Sequence, residues 1–222
     1  MCFARDNSLS IFFFALLLGA LVGQALTGNE VRNDEAVAHG EPEIGFWRYL
    51  ASSHFGQALL ENWQSEYLQF TLFILATVWF FQKGSPESPD EPGRESEQTQ
   101  KLGEHAPPGA PRLARRRGGF LRWLYSWSLV LVMGTIWIAS WFGQSVTGWT
   151  EENDTRAAHD EGPLSWGEYV TSAQFWEDTL QNWQSEFLAV GSMAVFSIYL
   201  RARGSAESKP VGEPDDTTAV TG

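Results

Sequence analysis

The sequence predicts an all-α integral membrane protein of four transmembrane helices, built from a tandem two-helix repeat with short interfacial helices on the outer side. Three observations predict it. The segment Asn62-Trp63-Gln64-Ser65-Glu66 recurs letter for letter as Asn182-Trp183-Gln184-Ser185-Glu186. The same offset of 120 residues holds without a gap from Ser8–Ser88 to Ser128–Ser208, with about 25 identities over roughly 80 positions, which marks an internal repeat. Each copy carries two long apolar stretches, and Lys and Arg collect on one side of them.

The first apolar stretch, Leu9–Leu26, has only Ser10 and Gln24 as polar members. Trp127–Val146 is its mate, and a bilayer core of about 30 Å needs roughly 20 helical residues. Arg5 before the stretch and Gly23-Gln24-Ala25 near its end also fit a cleaved signal peptide. The mate lies in mid-chain, where no such peptide belongs, so a retained helix is expected. Next come the acidic segments Asn29–Gly56 and Trp149–Trp176, each read as an acidic coil up to its aromatic stretch. Each contains an aromatic stretch, Phe46–Tyr49 and Trp166–Tyr169, suited to a membrane interface. Ser165 and Glu168 have capping-box spacing. The second apolar pair, Tyr67–Phe81 and Phe187–Leu200, reaches spanning length only by extending back into the pentapeptides. One helix is therefore expected from about Ser53 to Gln82 and one from about Ala173 to Arg201, with Gly84 and Gly204 as their C′ residues. Gly19 with Gly23, and Ala139 with Gly143, have the spacing of small residues that lets helices approach closely in lipid.

The expected organisation follows. Residues 1–83 form the first repeat and 120–203 the second. Residues 84–119 form a Pro-, Gly- and Ser-rich disordered linker, whose basic end (Arg112, Arg115, Arg116, Arg117) is drawn to anionic head groups. Residues 204–222 form a disordered tail. The Lys and Arg excess places both termini and the linker in the cytoplasm and the acidic loops outside. An even number of spans per copy makes the copies parallel, related by a pseudo-two-fold axis along the membrane normal.

Composition excludes several functions. The net charge of −12 argues against nucleic acid. The single cysteine, Cys2, allows neither an internal disulfide nor a cysteine-based metal site. No Ser/His/Asp order, Gly-rich phosphate loop or zinc-protease motif is present, so the chain reads as non-enzymatic and without a cofactor.

Two constellations can carry chemistry. On a helix, Asn62, Ser65, Glu66 and Gln69 share one face, with Asn182, Ser185, Glu186 and Ala189 in the second copy, and Glu66 and Glu186 are expected inside the bundle at similar depth, within hydrogen-bond reach of polar side chains. Gln64 and Gln184 then point to roughly the opposite side. Gln24 and Gln144 lie at matching depth and could reach these groups. Amides and hydroxyls at such positions form interhelical hydrogen-bond networks. A carboxylate at the membrane boundary equally suits a solute, ion or proton site. The second constellation is an H-x-E in each acidic loop, His39 with Glu41 and His159 with Glu161. Imidazole and carboxylate are zinc ligands, and loop-to-helix hydrogen bonding is the alternative.

The segments Gly23–Gly28, the H-x-E loop (His39 and Glu41), Arg48–Phe55, Glu61–Gln69 and Gly84–Ser88, with the second-copy forms Tyr169–Phe175, Gln181–Leu188 and Gly204–Ser208, resemble a family of bacterial membrane proteins known as domain of unknown function 6766. The resemblance implies a multi-pass protein of the bacterial inner membrane and supplies no catalytic or binding residues. The function expected is a small solute or ion transport or permeation unit, or a subunit of one, with the polar Asn/Gln/Glu band as its site. The alternative is a non-catalytic assembly module. The partners expected are the lipid bilayer and either a second copy of the chain or another membrane protein.

Overall fold

The computed structural model describes residues 3–40, 42–88 and 101–219. Regular structure among them is entirely helical: α1 (Phe3–Asp6), α2 (Ser8–Ala38), α3 (Phe46–Leu50), α4 (Ser53–Trp79), α5 (Phe120–Ser126), α6 (Ser128–Ala158), α7 (Trp166–Val170) and α8 (Ala173–Tyr199), with a 3-10 turn at Gly103–His105. Helices α6, α7 and α8 each begin and end 120 residues after α2, α3 and α4.

Helices α2 and α6 are long and apolar enough to cross a membrane. Each is 31 residues, about 46 Å at 1.5 Å per residue. Both run past their apolar stretches through the first part of the acidic segment, which the sequence reading assigned to coil. No Pro interrupts residues 29–38 or 149–158, and the Glu, Arg and Ala there are good helix formers. The capping box expected at Ser165 and Glu168 is present at the start of α7.

Helices α4 and α8 stop at Trp79 and Tyr199, two to three residues before the expected ends. The reason lies in the repeated Gly-Ser-x-Glu-Ser segments, which fold into turns and collect the amides beyond each helix. Ser88 Oγ accepts from the Gln82 N–H at 2.8 Å, and Ser208 Oγ accepts from the Ala202 N–H at 2.9 Å. Gly84 and Gly204 turn the chain there at φ of 83° and 81°, a region that costs glycine nothing.

The chain divides into two compact units. The first comprises Met1–Leu60 and Gly143–Thr171. Its core is built twice over. Tyr49 of α3 and Tyr169 of α7 are buried, with their hydroxyls against the backbone of Gly28 on α2 and Gly148 on α6. Asn33 accepts from the Ile44 N–H at 2.8 Å and donates to the Ile44 carbonyl at 3.0 Å. Asn153 does the same with Leu164, at 2.7 and 3.1 Å. These two-point clamps return each loop onto its helix. Ser53 Oγ donates to Glu151 at 2.8 Å. Of the small residues singled out for helix approach, Gly143 faces Leu60 of α4 at van der Waals range, whereas Gly19 and Gly23 have no atoms of the described chain near them.

The second unit comprises Glu61–Phe142 and Ser172–Gly222. The tail, expected to be disordered, is a hydrogen-bonded loop as far as residue 219. The buried Lys209 ammonium donates to the carbonyls of Pro214, Asp215 and Thr217, and Arg201 binds the Glu213 carbonyl and the Asp215 carboxylate. Ala219 N–H then reaches the Ser85 carbonyl at 3.0 Å. Two cations with several donors each replace the water these carbonyls would otherwise keep. Of the linker, residues 89–100 lie outside the described residues, and 101–119 form turns.

In this unit the repeated turns meet at Glu87 and Glu207, which share a hydrogen bond. Burial first, and then that bond and the Glu207 charge, hold the Glu87 carboxyl above its ordinary 4.5. A raised carboxyl stabilises the folded contact below the ordinary value and loses it as pH rises through the raised one. Hydrogen-exchange protection of the Glu87 and Glu207 amides should therefore fall from pH 4 toward neutrality, after correction for intrinsic rates. Glu87→Gln, which keeps a donor at every pH, should flatten the profile.

Candidate functional site

Helix α4 from Glu61 onward and helix α8 carry the two pentapeptides, and the second unit brings them together. Ser65 Oγ donates to Glu186 Oε1 at 3.4 Å. Asn182 Nδ2 donates to Glu61 Oε1 at 2.6 Å and to its own helix at the Asp178 carbonyl. Trp183 Nε1 donates to Gln64 Oε1 at 2.8 Å. Four members of the predicted band, Gln64, Ser65, Asn182 and Glu186, therefore meet in space.

The inward face differs from the one expected. On α4 it is Glu61, Gln64, Ser65, Leu68 and Thr71, with Gln64 and Ser65 fully buried and Asn62 and Glu66 exposed. The expected face is rotated by about one residue, roughly 100° around the axis. Gln64, placed on the far side by the sequence reading, lies at the centre. On α8 the buried positions are Phe175 and Thr179 in the first half and Ser197 and Ile198 near the end, with Asn182, Trp183 and Glu186 half-buried and Gln184 and Ser185 exposed. The same five letters thus present different residues in the two copies. Glu66 feels the charge of Glu186 but has no hydrogen bond among the described residues.

The surroundings are aromatic and rich in donors. The Trp141 ring lies 6.1 Å from Trp137, 6.0 Å from Trp176 and 5.8 Å from Trp183, centroid to centroid. The indole N–H groups of Trp137 and Trp141, Gln64 Nε2 and Thr179 Oγ1 are buried without a hydrogen-bond partner among the described residues. Neither α4 nor α8 contains a single Lys or Arg, although they hold Glu61, Glu66, Glu177, Asp178 and Glu186. Glu61, Trp141 and Thr179 were missed at the level of sequence. Glu61 directly precedes the pentapeptide, and Trp137 and Trp141 stand at i, i+4 spacing, so two of these signals were available.

Gln24 and Gln144 belong to the first unit. Gln24 is half-buried on α2, while Gln144 is buried on α6 with its carbonyl oxygen unpartnered.

Among the described residues, His39, His159 and Glu161 of the H-x-E segments are not brought together as a ligand set. Glu161 is engaged by Arg156 at 2.9 Å, and Glu41 lies outside the described residues. His39 and His159 each bond through Nδ1 to the carbonyl four residues earlier, Glu35 and Thr155, at 2.8 Å. Both line a cleft of about 580 Å³ with Arg32, Glu35, Glu151 and Asp154. No three His, Cys, Asp or Glu among the described residues are placed to hold a metal ion. The histidines cap helix ends, where a ring N–H satisfies a terminal carbonyl.

A family model described as Domain of unknown function (DUF6766) matches residues 1–220. No curated protein and no solved structure matches the chain.

Proposed function

Because the chain belongs to that family, whose description assigns no activity, we propose that it is a multi-pass membrane protein that passes a small cation or proton through the polar band of α4 and α8. In this reading α4 and α8 complete four spans, the two repeats lie parallel, both termini are cytoplasmic, and the membrane is the bacterial inner one. The bare surface of α2 supports a lipid solvent. Phe12, Phe13, Phe14, Leu16 and Leu18 are all more than half exposed, the reverse of a soluble core helix.

One observation carries the choice of a cation. Glu61 and Glu186 face inward with only neutral donors, Asn182 and Ser65, and the two helices carry no Lys or Arg, their single imidazole being His54 in the first turn of α4. A carboxylate at membrane depth has to be paired, hydrated or protonated. Pairing within these helices is closed to it, which leaves a cation, water or a proton. Buried donors without a hydrogen-bond partner among the described residues, Gln64 Nε2 and Thr179 Oγ1, are of the kind ordered water satisfies. The protein is non-enzymatic in this reading.

The experiment is flux in proteoliposomes, with a potassium or proton gradient and a fluorescent reporter inside. The parent should pass one of the two, and Glu186→Gln, which keeps shape but not charge, should reduce the rate at least tenfold while the protein still inserts and elutes as the parent does. The direct bonds Trp183–Gln64 and Ser65–Glu186 favour the second reading, an assembly module braced at this point. A parent that passes neither ion, with Glu186→Gln as stable as the parent, would select that reading.

A further inference from the structure

The basic end of the linker and helix α5 line two adjoining open cavities within the second unit. The first, about 540 Å³, is lined by Arg116, Arg117, Gly118, Gly119, Phe120 and Leu121. The second, about 960 Å³, shares Gly119 and Phe120 with it and continues along Ile74, Val78, Trp123 and Trp127. Volumes of this size hold small-molecule ligands. An arginine-bearing compartment therefore adjoins, at Gly119 and Phe120, a larger one lined mostly by aromatic and aliphatic side chains together with Arg122, Ser126 and Ser128. Among the described residues no Asp or Glu lines either.

The basic compartment is built rather than incidental. Arg122 Nη1 donates to the carbonyls of Arg116 and Arg117 at 3.2 and 3.0 Å, which folds the arginine run back onto α5. Gly119, at φ 94°, makes the turn into the helix. Arg117 is held by Glu104 at 2.8 Å, but both side chains are mostly exposed, and such pairs contribute little. Arg116 has no acidic partner among the described residues.

We infer that these joined cavities bind one anionic phospholipid per chain, its phosphate against Arg116 and Arg117 and an acyl chain along Val78, Trp123 and Trp127. Charge complementarity selects the anionic head, and the contiguous apolar groove selects an amphiphile over a free anion. Tryptophans beside the arginines suit the head-group boundary, where one end of the ring is wet and the other apolar. The inference does not depend on ion flux and would stand if the protein were an assembly module.

The test uses the full chain in a neutral detergent, with bound lipid counted by native mass spectrometry during titration with phosphatidylglycerol or with phosphatidylcholine of the same acyl chains. One phosphatidylglycerol should be retained per chain, and phosphatidylcholine should bind at least tenfold more weakly. Arg116→Gln with Arg117→Gln should weaken retention about 25-fold, at about fivefold per arginine near an anionic lipid. Both side chains are exposed, so the fold should survive, as circular dichroism would check. Val78→Trp fills the groove while keeping every arginine and should also lower retention. Equal binding of the two lipids would overturn the inference, as would displacement of phosphatidylglycerol by millimolar inorganic phosphate, which would make the cavity a bare anion site. Unchanged retention in either variant would overturn it as well.

Discussion

Gly148→Ala should cost about 2–3 kcal/mol of stability, and Gly28→Ala a similar amount, the range for forcing a methyl into a filled space. A Cβ at either position would fall within contact distance of a tyrosine hydroxyl, Tyr169 in one case and Tyr49 in the other. Neither ring has room to retreat, since both tyrosines are buried to within 2% of their surface. The nearest atom in each clash is the hydroxyl oxygen, so Tyr169→Phe should recover much of the loss in the Gly148→Ala background. The coupling would appear as a non-additive double-mutant cycle. Gly19→Ala and Gly23→Ala serve as controls, because nothing in the described chain lies within 4 Å of a methyl there. Thermal unfolding in one detergent would rank the variants. Equal losses at Gly19 and Gly148 would remove the Gly–Tyr contact as the cause.

That contact also shows how far the sequence could be read. Gly28, Tyr49, Asn33 and Ser88 all reappear 120 residues later, and each makes the same contact in both places. Retention in two copies is therefore a usable signal for the clamps and turns as well as for the pentapeptide. The long helices were legible because apolar runs and capping residues are local properties. Their ends were less so, because Ser88 and Ser208 compete for the amides from several residues downstream. The ordered tail was illegible for a similar reason. Its composition is that of a solvated chain, and only the three-dimensional placement of Lys209 and Arg201 gives its carbonyls partners. The family resemblance was carried by motif strings and is borne out by the match over residues 1–220.

The inward face of the first pentapeptide differs from the expected one, whereas in the second copy Asn182 and Glu186 do meet α4, and this difference leads to the last expected result. Periodicity fixes which residues share a face, but the neighbouring helix decides which face is covered, and a step of one residue turns the wheel by about 100°. Gln64 and Gln184 occupy the same letter of the same motif. Gln64 is fully buried and accepts from the Trp183 indole, while Gln184 is exposed. Gln64→Ala should therefore cost about 2 kcal/mol, from a lost hydrogen bond, an indole N–H left unpaired and a cavity beside Leu68. Gln184→Ala should stay within about 0.5 kcal/mol of the parent, as exposed substitutions do. Trp183→Phe removes the same hydrogen bond from the other side, so combining it with Gln64→Ala should add less than the sum of the two. If the two glutamines cost the same, both copies present the same face and the asymmetric pairing of α4 with α8 is wrong. If they differ as expected, the duplicated motif has divided its work. One copy supplies the buried amide and serine, and the other supplies the indole, the asparagine and the carboxylate that Ser65 meets.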